Sequence, residues 1–178
     1  MNYLSRSLEE NGGLLVPFSE LVECERSAFG YRLKITNKET SMHGEPSWVE
    51  TKSVINAAGL HADKVSRIIM GQDSPYRLYY AKGHYYAYLG RPLVSRLCYP
   101  TPPQNLSSLG VHTVVDLAGR MRFGPDIEYL PDVSDASQLQ YTFDDSYPRK
   151  RVFFETVHQY LPDLDIQRIS PDFCGIRP

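Results

Sequence analysis

Leu4 and Leu8 stand one helical turn apart near the start of the chain, with Ser5, Arg6, Glu9 and Glu10 on the other side. That spacing predicts an amphipathic helix over residues 1–11, ended by Asn11-Gly12-Gly13, because glycine readily takes the left-handed conformation that closes a helix. Short apolar runs follow at residues 14–16 and 21–24, and residues 31–36 alternate apolar with polar side chains, the mark of a half-buried strand. After a polar stretch over residues 37–46, Trp48-Val49-Glu50 resumes the pattern, so this region predicts a small antiparallel meander. Ser53-Val54-Ile55-Asn56-Ala57-Ala58-Gly59 then runs through small residues into Leu60, Val65, Ile68 and Ile69, an apolar helical stripe closed by Gly71. A strand, a tight turn and a helix are expected. In an open α/β sheet ligands sit beyond the C-terminal ends of strands, where small residues let bare backbone come close.

From Pro75 onward aromatic residues and prolines become frequent. Residues 76–81, 84–89, 96–99, 109–116 and 120–124 each predict a strand, with Asp116-Leu117-Ala118-Gly119 as the hairpin turn between the last two. Asp144-Asp145-Ser146 offers an N-cap for a helix with Pro148 in its first turn. Phe153, Val157, Tyr160 and Leu161 form its apolar stripe, and Pro162 ends it. Residues 166–178 follow no clear period. The expected fold class is α+β or α/β: a strand-turn-helix with a β-meander first, then an antiparallel sheet with one helix.

Composition narrows the function more than the fold. At 178 residues the chain can bury roughly 70% of its unfolded surface, and 42% hydrophobic with 22% charged residues is ordinary for a folded domain. No apolar run approaches the ~20 residues that span a bilayer, and the first residues lack the layout of a secretory signal. The formal net charge of −2 supplies no basic field for a phosphate backbone, so nucleic acid is not expected as a partner. Cys24, Cys98 and Cys174 are far apart and odd in number, which predicts reduced, mostly buried thiols and no metal site.

No Gly-x-Gly, Gly-x-x-x-x-Gly-Lys, Gly-x-Ser-x-Gly or His-Glu-x-x-His string occurs. The histidines are the candidates for acid–base work. His112, on a strand between apolar neighbours, faces either a core or a substrate cavity. His84 is expected nearer the surface or in an aromatic cluster, and His43, His61 and His158 toward solvent. Arg177, between Ile176 and Pro178, is a surface charge or a planar fork for a carboxylate. The tyrosines at 79, 80, 85, 86 and 88 are expected to pack in a sheet.

Residues 54–63, Val-Ile-Asn-Ala-Ala-Gly-Leu-His-Ala-Asp, together with Glu10-Asn11-Gly12-Gly13 followed by Leu21, resemble the nucleotide-binding segments of the D-amino-acid oxidase-like flavoproteins. Tyr80-Ala81-Lys82-Gly83-His84-Tyr85-Tyr86, Tyr99-Pro100, Leu109-Gly110-Val111-His112-Thr113, Phe123-Gly124-Pro125-Asp126 and Gly175-Ile176-Arg177-Pro178 resemble the L-2-hydroxyglutarate dehydrogenase branch of that family. The resemblance implies FAD as cofactor and a division into residues 1–74, a partial FAD-binding, Rossmann-like domain, and residues 75–178, a substrate-binding domain. It implies that Leu21 lies against adenine, and that Ala57, Ala58 and Gly59 pass close to the pyrophosphate or ribose. Lys82 and Gly83 would line the substrate domain's entry over the flavin ring, with His112 across the cavity to take the substrate's proton or bind its hydroxyl. Arg177 would hold a substrate carboxylate or sit by the flavin.

Such proteins begin with a Gly-x-Gly-x-x-Gly turn and continue past the Gly-Ile-Arg-Pro string, so the chain corresponds to their middle portion. It is expected to be a piece of an intracellular oxidoreductase, mitochondrial or cytoplasmic, acting on a 2-hydroxy acid, inactive by itself and marginally stable. The targeting region would lie outside this chain. An amino-acid oxidase of the same family and a non-catalytic domain binding a small anion or a protein partner are the alternatives.

Overall fold

A computed structural model describes residues 2–37, 45–101, 110–133 and 135–178. His43 and Leu109 lie outside these residues. The chain divides into two compact units, Met1–Arg77 and Leu78–Pro178.

In the first unit helix α1 (Asn2–Glu10) ends as its sequence predicts: Gly12 has φ +79° and the Gly13 amide donates to the Leu8 carbonyl at 2.8 Å. Its apolar stripe stays largely exposed, with Leu4 at 65%. Strands β1 (Ser19–Ser27), β2 (Gly30–Asn37) and β3 (Ser47–Thr51) form the antiparallel meander, pairing Leu21 with Ile35 and Leu33 with Val49. A bulge between Leu21 and Glu23 breaks the register of β1. A 3-10 turn, Gly59–His61, leads into α2 (Ala62–Met70), which packs on β1 through the Lys64–Glu20 ion pair at 3.1 Å.

The expected strand before that turn is absent. Residues 53–58 join no ladder, and Ile55 is 91% exposed. A β-branched run becomes a strand only where a neighbour takes up its backbone groups, and none is present for it among the described residues. Residues 14–16 likewise remain irregular.

In the second unit β4 (Ala81–Tyr88) is the central strand of a five-stranded antiparallel sheet. β8 (Ile169–Arg177) follows one edge of it from end to end. β6 (Met121–Gly124), at Tyr86 and Ala87, and β7 (Glu128–Tyr129), at Ala81 and Lys82, share the other edge. β5 (His112–Val115) pairs outside β6 through the expected hairpin turn, where the Asp116 carboxylate accepts from the Ala118 and Arg120 amides, both at 2.9 Å.

Helix α3 (Tyr147–His158) starts where predicted, the Ser146 hydroxyl accepting from the Arg149 amide. It buries Phe153 and Val157 against Tyr86, Met121, Phe123 and Ile169. Its regular part stops at His158, four residues short of Pro162.

Three further expectations change. Residues 76–80 and 96–99 are not strands, although Cys98 is held to β5 by its carbonyl accepting from the Thr113 amide at 2.9 Å. Residues 169–177, unassigned from sequence, form a nine-residue strand. Pro171 and Gly175 broke the expected period there, and a bulge near Asp172 absorbs the irregularity. The cysteines are unpaired and half-buried rather than buried.

Candidate active site

Because side chains alternate along a strand, β4 presents two different surfaces. Lys82, His84, Tyr86 and Tyr88 face α3 and are buried, whereas Gly83, Tyr85 and Ala87 face the opposite way and are half-buried.

The surface toward α3 carries a dense charge cluster. Asp126 follows the end of β6, and its carboxylate accepts from the His84 amide at 2.7 Å and contacts the His84 Nδ1 at 2.9 Å. Arg149, in the first turn of α3, reaches Asp126, donates to Glu128 at 2.6 Å and to Asp144 at 3.1 Å, and lies 2.9 Å from the same imidazole nitrogen. Arg149 holds the Asp144 carboxyl below the ordinary carboxylate range, chiefly through that hydrogen bond. His84, expected nearer the surface or in an aromatic cluster, is buried at 1% exposure and packs edge-on against Phe143 at 5.0 Å. Sequence reasoning missed the cluster because its members come from four segments. The even spacing of Lys82, His84, Tyr86 and Tyr88 was the one local signal. Lys82 belongs to this surface too, its Nζ donating to the Thr142 carbonyl.

The opposite surface gathers the other chemistry. Register sets Arg177 beside Ala81, Gly175 beside Gly83 and Phe173 beside Tyr85 on β8 and β4, and His112 beside Gly124 on β5 and β6. The Tyr85 and Phe173 rings stack at 4.6 Å and 14°. The His112 ring stacks on Tyr99 at 4.5 Å and 22°. Burial pushes the Tyr85 hydroxyl up; the nearby Arg177 charge opposes this and Tyr99 adds to it, so the three side chains share one field. Arg177 is exposed and forms no ion pair among the described residues.

His112 Nδ1 lies 3.2 Å from the Gly110 carbonyl. A carbonyl only accepts, so Nδ1 carries the hydrogen and the neutral ring keeps its lone pair on Nε2. One end of the surface is fixed by Arg122, which bonds Asp116 at 3.1 Å and also Asp172. The Arg120 amide first, then the Arg120 and Arg122 side chains and the Ala118 amide, hold Asp116 far below the ordinary carboxylate range against its desolvation. His112, Gly83 and Arg177 therefore share a surface, while the Lys82 side chain is on the other.

A family model described as FAD dependent oxidoreductase matches residues 1–178. The chain belongs to this D-amino-acid oxidase-like family. It is 35% identical over 131 residues to the mitochondrial L-2-hydroxyglutarate dehydrogenase of Arabidopsis thaliana, covering 70% of this chain and 27% of that protein. It is also 28% identical over 177 residues to a glycerol 3-phosphate dehydrogenase of Caloramator mitchellensis, covering 98% of this chain and 32% of that protein. An L-2-hydroxyglutarate dehydrogenase of Indibacter alkaliphilus is 29% identical over 97 residues, covering 53% and 24%. The FAD-bound, dithionite-reduced L-α-glycerophosphate oxidase of Mycoplasma pneumoniae shares the fold at a TM-score of 0.69 and 18% identity, over 98% of this chain and 42% of that one. The chain thus spans about a third or less of the length of the curated relatives it matches. FAD is the cofactor of the family, and the mixed helices and antiparallel sheets are those of a partial FAD-binding fold with its antiparallel sheet.

Within the first unit the segment that would meet FAD is open. Asn56 ties its own turn, donating to the Ala62 carbonyl at 2.7 Å and accepting from the Ala58 amide at 3.2 Å. Gly59 has φ +55°, and a Cβ there would meet nothing within 4 Å. Ala57 is exposed, and Leu21 is half-buried next to the β1 bulge. These residues leave bare backbone approachable, as a bound dinucleotide requires. No helix among the described residues is long and apolar enough to cross a membrane.

Proposed function

We propose that this chain is part of an intracellular FAD-dependent oxidoreductase that oxidises a 2-hydroxy acid of the L-2-hydroxyglutarate type. The observation that carries the reading is the gathering of Arg177, Tyr85, Tyr99 and His112 on one surface of the second unit's sheet. In this reading Ala57, Ala58, Gly59 and Leu21 hold the nucleotide, residues 1–74 belong to the FAD-binding domain and residues 75–178 to the substrate domain. Arg177 takes the substrate carboxylate through its planar fork. Tyr85 and Tyr99 flank that position with aromatic rings.

His112 accepts the hydroxyl proton at Nε2, and the Gly110 carbonyl fixes the tautomer that leaves this nitrogen free. The chemistry supplied by bound FAD is acceptance of hydride from the α-carbon, so the 2-hydroxy acid leaves as the 2-oxo acid. Lys82 supports the sheet from the α3 side, and Gly83 lets Pro125 lie over β4.

The 28% relative and the oxidase sharing the fold favour a second reading, oxidation of glycerol 3-phosphate, with Arg177 on a phosphate. The test is anaerobic mixing of the FAD-loaded protein, expressed from its complete reading frame, with L-2-hydroxyglutarate, glycerol 3-phosphate or an L- or D-amino acid. Bleaching of the flavin band by L-2-hydroxyglutarate is expected. Bleaching by glycerol 3-phosphate alone selects the second reading, and bleaching by an amino acid alone overturns both.

A further inference from the structure

Gly83 and Gly175 sit opposite each other on β4 and β8, on the surface turned away from α3. They lack side chains for different reasons. A Cβ on Gly83 would come 2.7 Å from the Pro125 Cβ, so packing inside the unit requires glycine there. A Cβ on Gly175 would meet nothing within 4 Å among the described residues, and its backbone is not left-handed. Glycine inside a strand costs stability through lost backbone freedom and missing packing. Neither the backbone nor the neighbours of Gly175 explain that cost. The bare stretch also has defined borders: the stacked Tyr85 and Phe173 rings stand on one side, and the exposed Arg177 two residues along on the other.

We propose that Gly175 is a specificity-determining residue, its missing side chain leaving room for the carbon chain of a carboxylate substrate whose head group meets Arg177 and whose body lies against the Tyr85–Phe173 pair. This rests on the 2-hydroxy acid reading and adds to it where the rest of the acid goes. The floor is the Gly175 backbone, bordered by Pro125 over Gly83, one wall is aromatic and the far end is a cation, so the opening suits a short acid whose middle is apolar. A branched side chain at 175 would fill it.

The test is calorimetric titration of L-2-hydroxyglutarate into the FAD-loaded protein, expressed from its complete reading frame and reduced beforehand so that the flavin cannot take a hydride, for the wild type, Gly175→Ala and Gly175→Val, with thermal midpoints recorded for each. A weakening of about tenfold for alanine, which adds one carbon, and a larger one for valine, which adds three, is expected. The midpoints stay level or rise, because a β-branched residue favours a strand. Gly83→Ala, in contrast, lowers the midpoint. Unchanged affinity in Gly175→Val, a fall in its midpoint, or no binding by the wild type overturns the inference. Binding is read without turnover, so an enzyme that binds L-2-hydroxyglutarate in this graded way without flavin bleaching sinks the activity and leaves the groove. Bleaching that is indifferent to valine at 175 does the reverse.

Discussion

Tyr86 is wholly buried, yet its hydroxyl finds no partner among the described residues, and burial pushes that hydroxyl up to about 12. A buried polar atom without a partner costs about 1–3 kcal/mol, so Tyr86→Phe is expected to hold or raise the thermal midpoint in calorimetry. A clear fall would reveal an ordered water or other partner at that atom. Tyr160 is likewise pushed up to about 12 by burial. A raised folded value means stability is fully present below the unfolded tyrosine range and is lost as pH climbs from about 10 toward 12. Asp116 and Asp144 have the opposite sign: both are lowered, the first mainly by the Arg120 amide and the second by Arg149. Their contribution is present above about pH 4 and fades below it. Midpoints measured across pH should fall at both ends, and Asp116→Asn should flatten the acid limb while lowering the neutral plateau.

Among the elements, α3 depends on one side chain in its first turn. Arg149 is partly buried and ties Asp126, Glu128 and Asp144 to the helix. Removing it leaves three carboxylates facing one another, so Arg149→Met is expected to cost on the order of 2–3 kcal/mol in denaturant titrations, less than for a fully buried pair because Asp144 is half in solvent. A loss well under 1 kcal/mol would show that α3 is held by Phe153 and Val157 alone.

Much of the element order was legible in the sequence because local rules governed it: the glycine stop of α1, the alternation of β2, the Asp116 hairpin and the Ser146 cap. The strand before Gly59 was misread because its β-branched residues need neighbours that the period cannot supply. β8 was invisible because a bulge and a glycine hide its alternation, although its pairing with β4 is the longest in the second unit. The site divided the same way. His112 and Arg177 stood out by residue type and string, whereas their association with Tyr85 comes from register and that with Tyr99 from a ring stacked on His112. The His84–Asp126–Arg149 cluster joins residues up to 65 positions apart.

For the molecule as a whole, apolar burial is unevenly shared. All the buried hydrophobic side chains among the described residues belong to the second unit, while Asp63 and Ser66 are the buried residues of the first. Leu14, Phe29 and Ile55 are among the exposed apolar side chains there. Exposed apolar area of this kind binds hydrophobic dyes and needs cover. Hydrogen exchange is therefore expected to be slow in β4, β6, β8 and α3 and fast in β1, β2 and β3, since opening is easiest where few apolar contacts must break. Equal protection in both units would contradict this.

From Lys82 to Tyr88, β4 carries the fold on its even-numbered residues and the candidate chemistry on its odd ones, while Ala81 is buried. Heritable change is thereby sorted by parity. In a saturation scan of residues 81–88 scored for protein abundance, the tolerated substitutions should gather at Tyr85 and Ala87, with Gly83 excepted by Pro125 and Ala81 by its burial. A lineage could then retune what this sheet accepts without first renegotiating whether it folds.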